Sequence, residues 1–361
     1  MSALEPMNAR ELSAAIEAQR PALAEAVAAR QYAEHPELRD RHGPVGWQRT
    51  LEDANYNLAF LAQAIALENR ALFTDYLGWL KVVLSRRRVR LQDLLDHFAY
   101  LQDGLRQSLP AGAAATACAY VAEGVRQLPD LPDDLPAIIE GNAPISLLAH
   151  RYLQALLRGE RHVASRLVLD AVNQGTPVKD VYLGVFQPCQ HEIGRLWQTN
   201  QISVAQEHYC TAATQWVMSQ LYPYVFSGDK GAGRLVATCI AAELHEIGVR
   251  MVADFFEMEG WDTFYLGANT PTDSILGTLV ERRADVLGIS ATITYHVSEV
   301  ERLIQAVRAD PVCRDTLILV GGYPFNLAPE LWRRIGADGW APDAQTAVGR
   351  ANELLAARRP A

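Results

Sequence analysis

Two histidines in this chain stand beside glutamates. His208 directly follows Glu207 at the end of WQTNQISVAQEH (197–208), and His245 lies two positions after Glu243 in AAELHEIG (241–248). A neutral imidazole ligates transition metals well, and a nearby carboxylate orients its other ring nitrogen. The two are expected to face one metal from opposite sides. His245 falls just past the β-rich run RLVATCIAA, and two later strand ends carry small residues: Ser290-Ala291-Thr292 after VLGI and Gly321-Gly322 after TLILV. Small side chains there leave a deep slot, suited to a long buried ligand tail. Gly248 lets the next helix pass close to a bulky cofactor. HEIG occurs at 191 and 245, but Arg195 and Val249 stand where an HExxH zinc site needs its second histidine. GAGRLV precedes its strand and is no dinucleotide fingerprint.

The elements that must position these residues fall into three segments. Residues 1–138 read as helical throughout, with apolar residues at three- and four-residue spacing, and end in the Pro-rich LPDLPDDLPA. Residues 139–226 hold four helical stretches and suit a four-helix bundle. SGDKGAG (227–233) reads as a flexible linker. From 234 to 361 short β-rich runs alternate with helices, which predicts a doubly wound parallel α/β sheet of the Rossmann or flavodoxin type.

The bulk numbers bound the function. A formal charge of -9 over 361 residues argues against non-specific nucleic-acid binding, and SRRRVR (85–90) is the one dense basic run. That run reads either as a solvated helix end or as a clamp for ligand carboxylates. The five cysteines, with no CxxC, suit free thiols in a reducing compartment. No run approaches a bilayer span, and MSALEPMNAR lacks a signal peptide's apolar core, so a cytoplasmic location away from membranes is expected.

The set Glu243-x-His245-x-x-Gly248, then Ser290-x-Thr292, then Gly321-Gly322 resembles the cobalamin-binding domain, with Glu for the commoner Asp and Thr for the commoner Leu. The resemblance implies His245 as lower axial ligand to cobalt, in place of the cofactor's own base. Glu243, Glu246, Ile247 and Gly248 would stand around it, and the displaced tail would lie along Ser290, Thr292, Gly321 and Gly322. The bundle resembles the cap found in methyl-transferring corrinoid proteins and in B12-dependent light sensors of the CarH and LitR type. W-x9-E-H, here Trp197, Glu207 and His208, is characteristic of the light sensors. It implies adenosylcobalamin, with Trp197 packed on the adenosyl group and Glu207 holding its ribose or adenine. After light removes that group, His208 would take the upper site, giving a bis-histidine cobalt and altered subunit contacts. The residues alone also admit a core tryptophan and a helix-starting glutamate.

The amino-terminal segment lacks a compact basic recognition helix, so direct DNA binding is not expected. Its aromatics and histidines resemble the layout of photocobilins, B12 light sensors with a globin-like domain for biliverdin. That implies a pocket with His97, Tyr76 and Trp79, and Arg86, Arg87 or Arg88 pairing the propionates. A helical dimerisation or docking domain with aromatics in its core stands beside that reading. The expectation is a signalling photoreceptor rather than an enzyme, assembling as a light-dependent homo-oligomer toward a downstream partner. The alternatives are a corrinoid carrier for methyl transfer, and a cobalamin sensor or storage module indifferent to light.

Overall fold

The computed structural model describes residues 7–226 and 231–358; the beginning of MSALEPMNAR and residues 227–230 of the expected linker lie outside the described residues. The chain divides into two compact units, Met1–Asp134 and Leu135–Ala361. The division precedes the expected boundary at 138 because Leu135 and Ile138 are held by the bundle. Arg195 donates to the Leu135 carbonyl (3.2 Å), and the Ile138 N–H donates to Glu192 (2.8 Å).

The first unit is helical: α1 (Ala9–Glu34), α2 (Leu38–His42), α3 (Gly46–Ala66), α4 (Arg70–Ser85), α5 (Leu91–Ser108) and α6 (Ala111–Gln127). α1 begins at a capping box in which Asn8 and Glu11 each accept the other's backbone N–H. Its buried stripe of Leu12, Ile16, Leu23 and Val27 packs on α3 and α5. Phe73 and Phe98, both fully buried, meet edge to face at 6.2 Å. Each such ring contributes roughly 2–3 kcal/mol by leaving water.

The second unit opens with the bundle: α7 (Pro144–Leu157), α8 (Arg161–Asn173), α9 (Val178–Val181), α10 (Gln187–Gln198) and α11 (Val204–Gln220), with the short α12 (Tyr222–Val225) after it. The third bundle helix, expected to be continuous, contains a π turn at Tyr182–Phe186 between α9 and α10. Pro188 has no N–H for the Gly184 carbonyl, so the ladder slips by one residue, and the Gln187 N–H reaches Tyr182 instead. Gly184 lies in that turn, where Ile145 of α7 packs so closely that a Cβ would stand 2.5 Å from it.

The sheet follows: β1 (Arg234–Cys239), α13 (Ile247–Met258), β2 (Asp262–Gly267), α14 (Thr272–Arg282), β3 (Val286–Ser290), α15 (Val297–Ala309), β4 (Leu317–Gly321), α16 (Tyr323–Leu327), α17 (Leu331–Arg334), β5 (Gly339–Trp340) and α18 (Ala344–Arg358). The strands lie in the order β2-β1-β3-β4-β5, all parallel. β1, β3 and β4 are buried nearly end to end, which explains their continuous apolar runs. From β1 the chain goes to one side for β2 and to the other for β3. The carboxyl edge between β1 and β3 is therefore the switch point where such sheets bind ligands. The bundle is tied to α13 by Tyr182, whose buried hydroxyl donates to Asp254 at 2.7 Å. Burial pushes the Asp254 carboxyl up to about 6, against the opposing pull of Tyr182 and Arg250. Among the described residues no helix is long and apolar enough to cross a membrane.

Gly322 joins two strand-end loops at the carboxyl edge. Its φ is +102°, and a Cβ there would stand 2.0 Å from the Ala291 carbonyl oxygen. Gly322→Ala is therefore expected to destabilise the second unit by at least about 2 kcal/mol, through backbone strain and overlap together. Denaturant unfolding followed by tryptophan fluorescence would check this, and an unchanged midpoint would contradict it.

Candidate functional site

The lower half of the site is built on one carboxylate. Glu243, in the loop after β1, has no exposed surface. One oxygen accepts the His245 N–H at 3.1 Å and the ring Nδ1–H of His245 at 2.5 Å. The other accepts the N–H groups of Thr292 (2.8 Å) and Ile293 (3.3 Å) and Nδ1–H of His296 (3.0 Å). Burial alone would raise this carboxyl. The bonds from His245, His296 and Thr292 outweigh it and hold Glu243 well below the usual carboxylate range. An ionised acceptor fixes the tautomer of His245: Nδ1 keeps its proton, and Nε2 is left with a lone pair for a metal. The same hydrogen bond, ahead of the opposing effect of burial, raises the proton affinity of His245. The His245 ring is 57% exposed.

The upper half stands on α11. Ser203 caps its first turn, reciprocally with Gln206. Glu207 then accepts from Nδ1 of His208 at 2.5 Å, while its second oxygen accepts from Thr211 Oγ1 at 3.0 Å. The His208 ring is 75% exposed, and its Nε2 is likewise directed away from the carboxylate that holds Nδ1. Glu207 lies close enough to His245 for its charge to add to that imidazole's proton affinity. Trp197, half-buried, lies at the end of α10 beside the turn into α11.

The remaining expected residues divide by what the structure does with them. Gly248 is exposed in the first turn of α13, and a Cβ there would meet nothing within 4 Å, so the helix leaves room above it. Ser290, Thr292, Gly321 and Gly322 line the carboxyl edge of β3 and β4, half-buried. Thr292 also gives its backbone N–H to Glu243. Ile247 is buried at the start of α13. Glu246 has its carboxylate engaged by Gln215 of α11 (2.8 Å), Tyr265 (2.8 Å) and the Ala268 N–H (3.1 Å). His296, Gln215 and Tyr265 are therefore parts of the site that the motifs did not mark. His296 carried one usable signal: it lies in the same short loop as Ser290 and Thr292, six residues after Ser290. A single axial nitrogen from His245, with open space over Gly248, fits a metal that brings its own equatorial ring.

The expected bilin residues of the first unit do not form such a site. His97 is a core histidine, 5% exposed, with both ring nitrogens satisfied. Tyr76 donates to Asn57 (2.6 Å), Asn57 to His97 Nε2 (3.0 Å), His97 Nδ1–H to Gln31 (2.8 Å), and Gln31 to the Asp93 carbonyl (3.2 Å). Burial pushes the His97 imidazole down to about 4 and keeps it neutral. Tyr76 lies stacked between Phe60 (3.7 Å) and Trp79 (6.2 Å), as packing between α3 and α4. Arg86 pairs with Asp134, Arg87 donates to the Val83 carbonyl at 2.9 Å, and Arg88 has φ 65° just past the end of α4. The basic run is a helix end, its cations set against the last carbonyls.

The comparisons with known proteins fall on the second unit. Residues 233–349 match the B12 binding domain family, and residues 148–222 match a second B12 binding domain family. The chain is similar to a corrinoid protein of Desulfitobacterium hafniense (strain Y51), 24% identical over 207 residues, covering 56% of this chain and 94% of that one. It is 30% identical over 140 residues to the dimethylamine corrinoid protein of Methanosarcina barkeri, covering 38% of this chain and 64% of that one. The monomethylamine corrinoid protein structure from Methanosarcina barkeri superposes with a TM-score of 0.51 at 20% identity, over 58% of this chain and 98% of that one, a likeness of fold. Residues 148–222 and 233–349 of the second unit thus match B12 binding domains, which supports cobalamin binding there, on a helical bundle and a parallel α/β domain. The matches carry a cobalt corrinoid as the cofactor class. They do not carry adenosylcobalamin in particular, light sensing or biliverdin.

Two outcomes follow for the protein without cofactor. Glu243→Ala strands three buried or half-buried partners, Thr292, Ile293 and His296, and should cost about 3–5 kcal/mol in the second unit, read as a lowered denaturation midpoint. His97, with its folded pKa depressed, contributes stability that is complete above about 6.5 and is lost as the pH falls toward about 4. The first unit should therefore lose roughly 3 kcal/mol across that window. His97→Gln should flatten this loss; a pH-stability curve of unchanged shape would refute the assignment.

Proposed function

We propose that the protein holds a corrinoid base-off between its bundle and its sheet, with Nε2 of His245 below the cobalt, and that it carries the cobalt's upper group for methyl transfer. The observation that carries this reading is Glu243–His245, a fully buried carboxylate fixing one imidazole at the switch point between β1 and β3. The names of the matched relatives, corrinoid proteins including a dimethylamine one, support the methyl-carrier form. When bound, the cobalt supplies an axial position above the ring at which an alkyl group is held. The chain's own part is to keep the Nδ1 proton on His245, present Nε2, and accommodate the displaced nucleotide tail along Ser290, Thr292, Gly321 and Gly322. As a carrier it works with a separate methyltransferase and is itself no catalyst.

A second reading is favoured by a specific observation. His208 is oriented by Glu207 as His245 is by Glu243, yet is mostly exposed, so it is free to approach the upper face. In this form the cofactor is adenosylcobalamin, Trp197 packs on the adenosyl group, and Glu207 bonds its sugar or base. The cofactor would supply a light-sensitive cobalt–carbon bond, and His208 would be the residue able to hold the cobalt once that group is lost, with a change in assembly that a downstream partner would read. Biliverdin forms no part of the proposal, because its expected histidine is spent in the core of the first unit.

The experiment is absorption spectroscopy of the full chain loaded with methylcobalamin or adenosylcobalamin, in the dark and after green light. His245→Ala should lose the base-off, imidazole-ligated spectrum, and retention of it would overturn the site. Photoproducts that are the same in the wild type and in His208→Ala favour the carrier. A second imidazole above the cobalt, lost in His208→Ala and accompanied by a change in mass on size exclusion, favours the light sensor.

A further inference from the structure

α11 is joined to the start of α13 by polar contacts from its C-terminal half, while its N-terminal half is held in the bundle, where Tyr209 donates to the Gly159 carbonyl at 2.6 Å and Thr211 to Gln190 at 3.2 Å. Gln215 Nε2 donates to Glu246 Oε1 at 2.8 Å. One turn further along both helices, Arg250 donates to Ser219 (2.7 Å) and to Tyr222 (3.0 Å). The two contacts advance together in sequence, from Gln215 to Ser219 and from Glu246 to Arg250. Glu246 is immobile on the sheet side, since its other oxygen takes the Tyr265 hydroxyl at 2.8 Å and the Ala268 N–H at 3.1 Å.

The positions of the two imidazoles follow from this fastening. Glu246 is the residue next to His245. Gln215 lies seven residues after His208, which on an α-helix is within about 20° of the same face and roughly 10 Å along the axis. The face of α11 that carries His208 is thus the face bonded to the neighbour of His245. Glu207 and His208 lie about two turns N-terminal to Gln215 on that helix.

We infer that the Gln215–Glu246 hydrogen bond is the fulcrum that sets the height of His208 above His245, making Gln215 and Glu246 positioning residues for the upper face. The inference rests on the corrinoid reading above and deepens it. Glu246, expected from the motif to touch the cofactor, instead holds the helix that covers it. The bond fixes the placement of His208, and with it how strongly that imidazole would compete with an outside ligand for the metal. It joins an amide to a carboxylate, so reversing the pair preserves it, while two facing carboxylates oppose each other.

The test is titration of free imidazole onto the full chain loaded with hydroxocobalamin, followed by absorption. His208→Ala defines the limit with no competing side chain. Gln215→Leu is expected to move the half-saturating imidazole concentration at least tenfold from the wild-type value toward that limit, and Gln215→Glu further. The reversed pair, Gln215→Glu with Glu246→Gln, is expected to return it to within about threefold of wild type, which guards against a variant that has merely lost structure. A wild type that titrates like His208→Ala, or a Gln215→Leu protein that titrates like wild type while still showing imidazole below the cobalt, overturns the inference alone. A wild type that shows no lower imidazole at all overturns the corrinoid reading with it.

Discussion

A carboxylate with no exposed surface stands beneath the site, and the loops at the carboxyl edge are arranged around it. Glu243 accepts from two histidine rings and from backbone N–H groups on both sides of the gap between β1 and β3. A buried ionised group is costly unless its lone pairs are filled. The five donors therefore hold the β1 loop to the β3 loop as firmly as they hold His245. One interaction thus joins the local fold to the chemistry. The loop geometry that makes the carboxylate tolerable is also the geometry that leaves Nε2 of His245 facing outward. Gly322 extends the same logic to the next strand, since the close approach of its backbone to Ala291 completes the edge.

The sequence was informative where a local pattern and a local cause coincide. Five parallel strands, the bundle helices and the two Glu–His pairs could be read because each leaves a periodicity or a motif. His296 could not, since a histidine at a helix start has many ordinary uses and its partner lies 53 positions away. Gln215 was invisible for the same reason: an amide in mid-helix carries no pattern, and its meaning comes from a contact 31 residues distant. The π turn was missed because one slipped bond hardly alters a helical period, although Pro188 held the cause. His97 was misread in the other direction. Aromatics, a histidine and arginines on neighbouring helices resemble a pocket in one dimension, yet the folded unit closes Tyr76 and His97 into a buried polar chain and keeps the arginines at a helix end.

The two units use histidines to opposite ends, one buried and one exposed. In the first, His97 has a partner on each nitrogen and burial holds it neutral, so it contributes specificity of packing and nothing to a ligand. In the second, His245 has one nitrogen bound and one free, and its neighbours favour the charged form. An imidazole becomes a candidate ligand when exactly one of its nitrogens is bound, and neither composition nor exposure alone reveals that state.

The same comparison separates the upper face from the lower. Both imidazoles meet their glutamate at 2.5 Å through Nδ1. Glu243 is sealed, holds its histidine from two residues away and is itself held by four further donors; Glu207 keeps 28% of its side-chain surface and lies next to its histidine on one helix turn. Reorienting His245 would break a buried network, whereas His208 can swing with its carboxylate at little cost. On the proposed corrinoid reading, this asymmetry would make His245 a fixed ligand and His208 an exchangeable one, the arrangement that a group held on the metal would need if it is to be displaced without the metal leaving the protein.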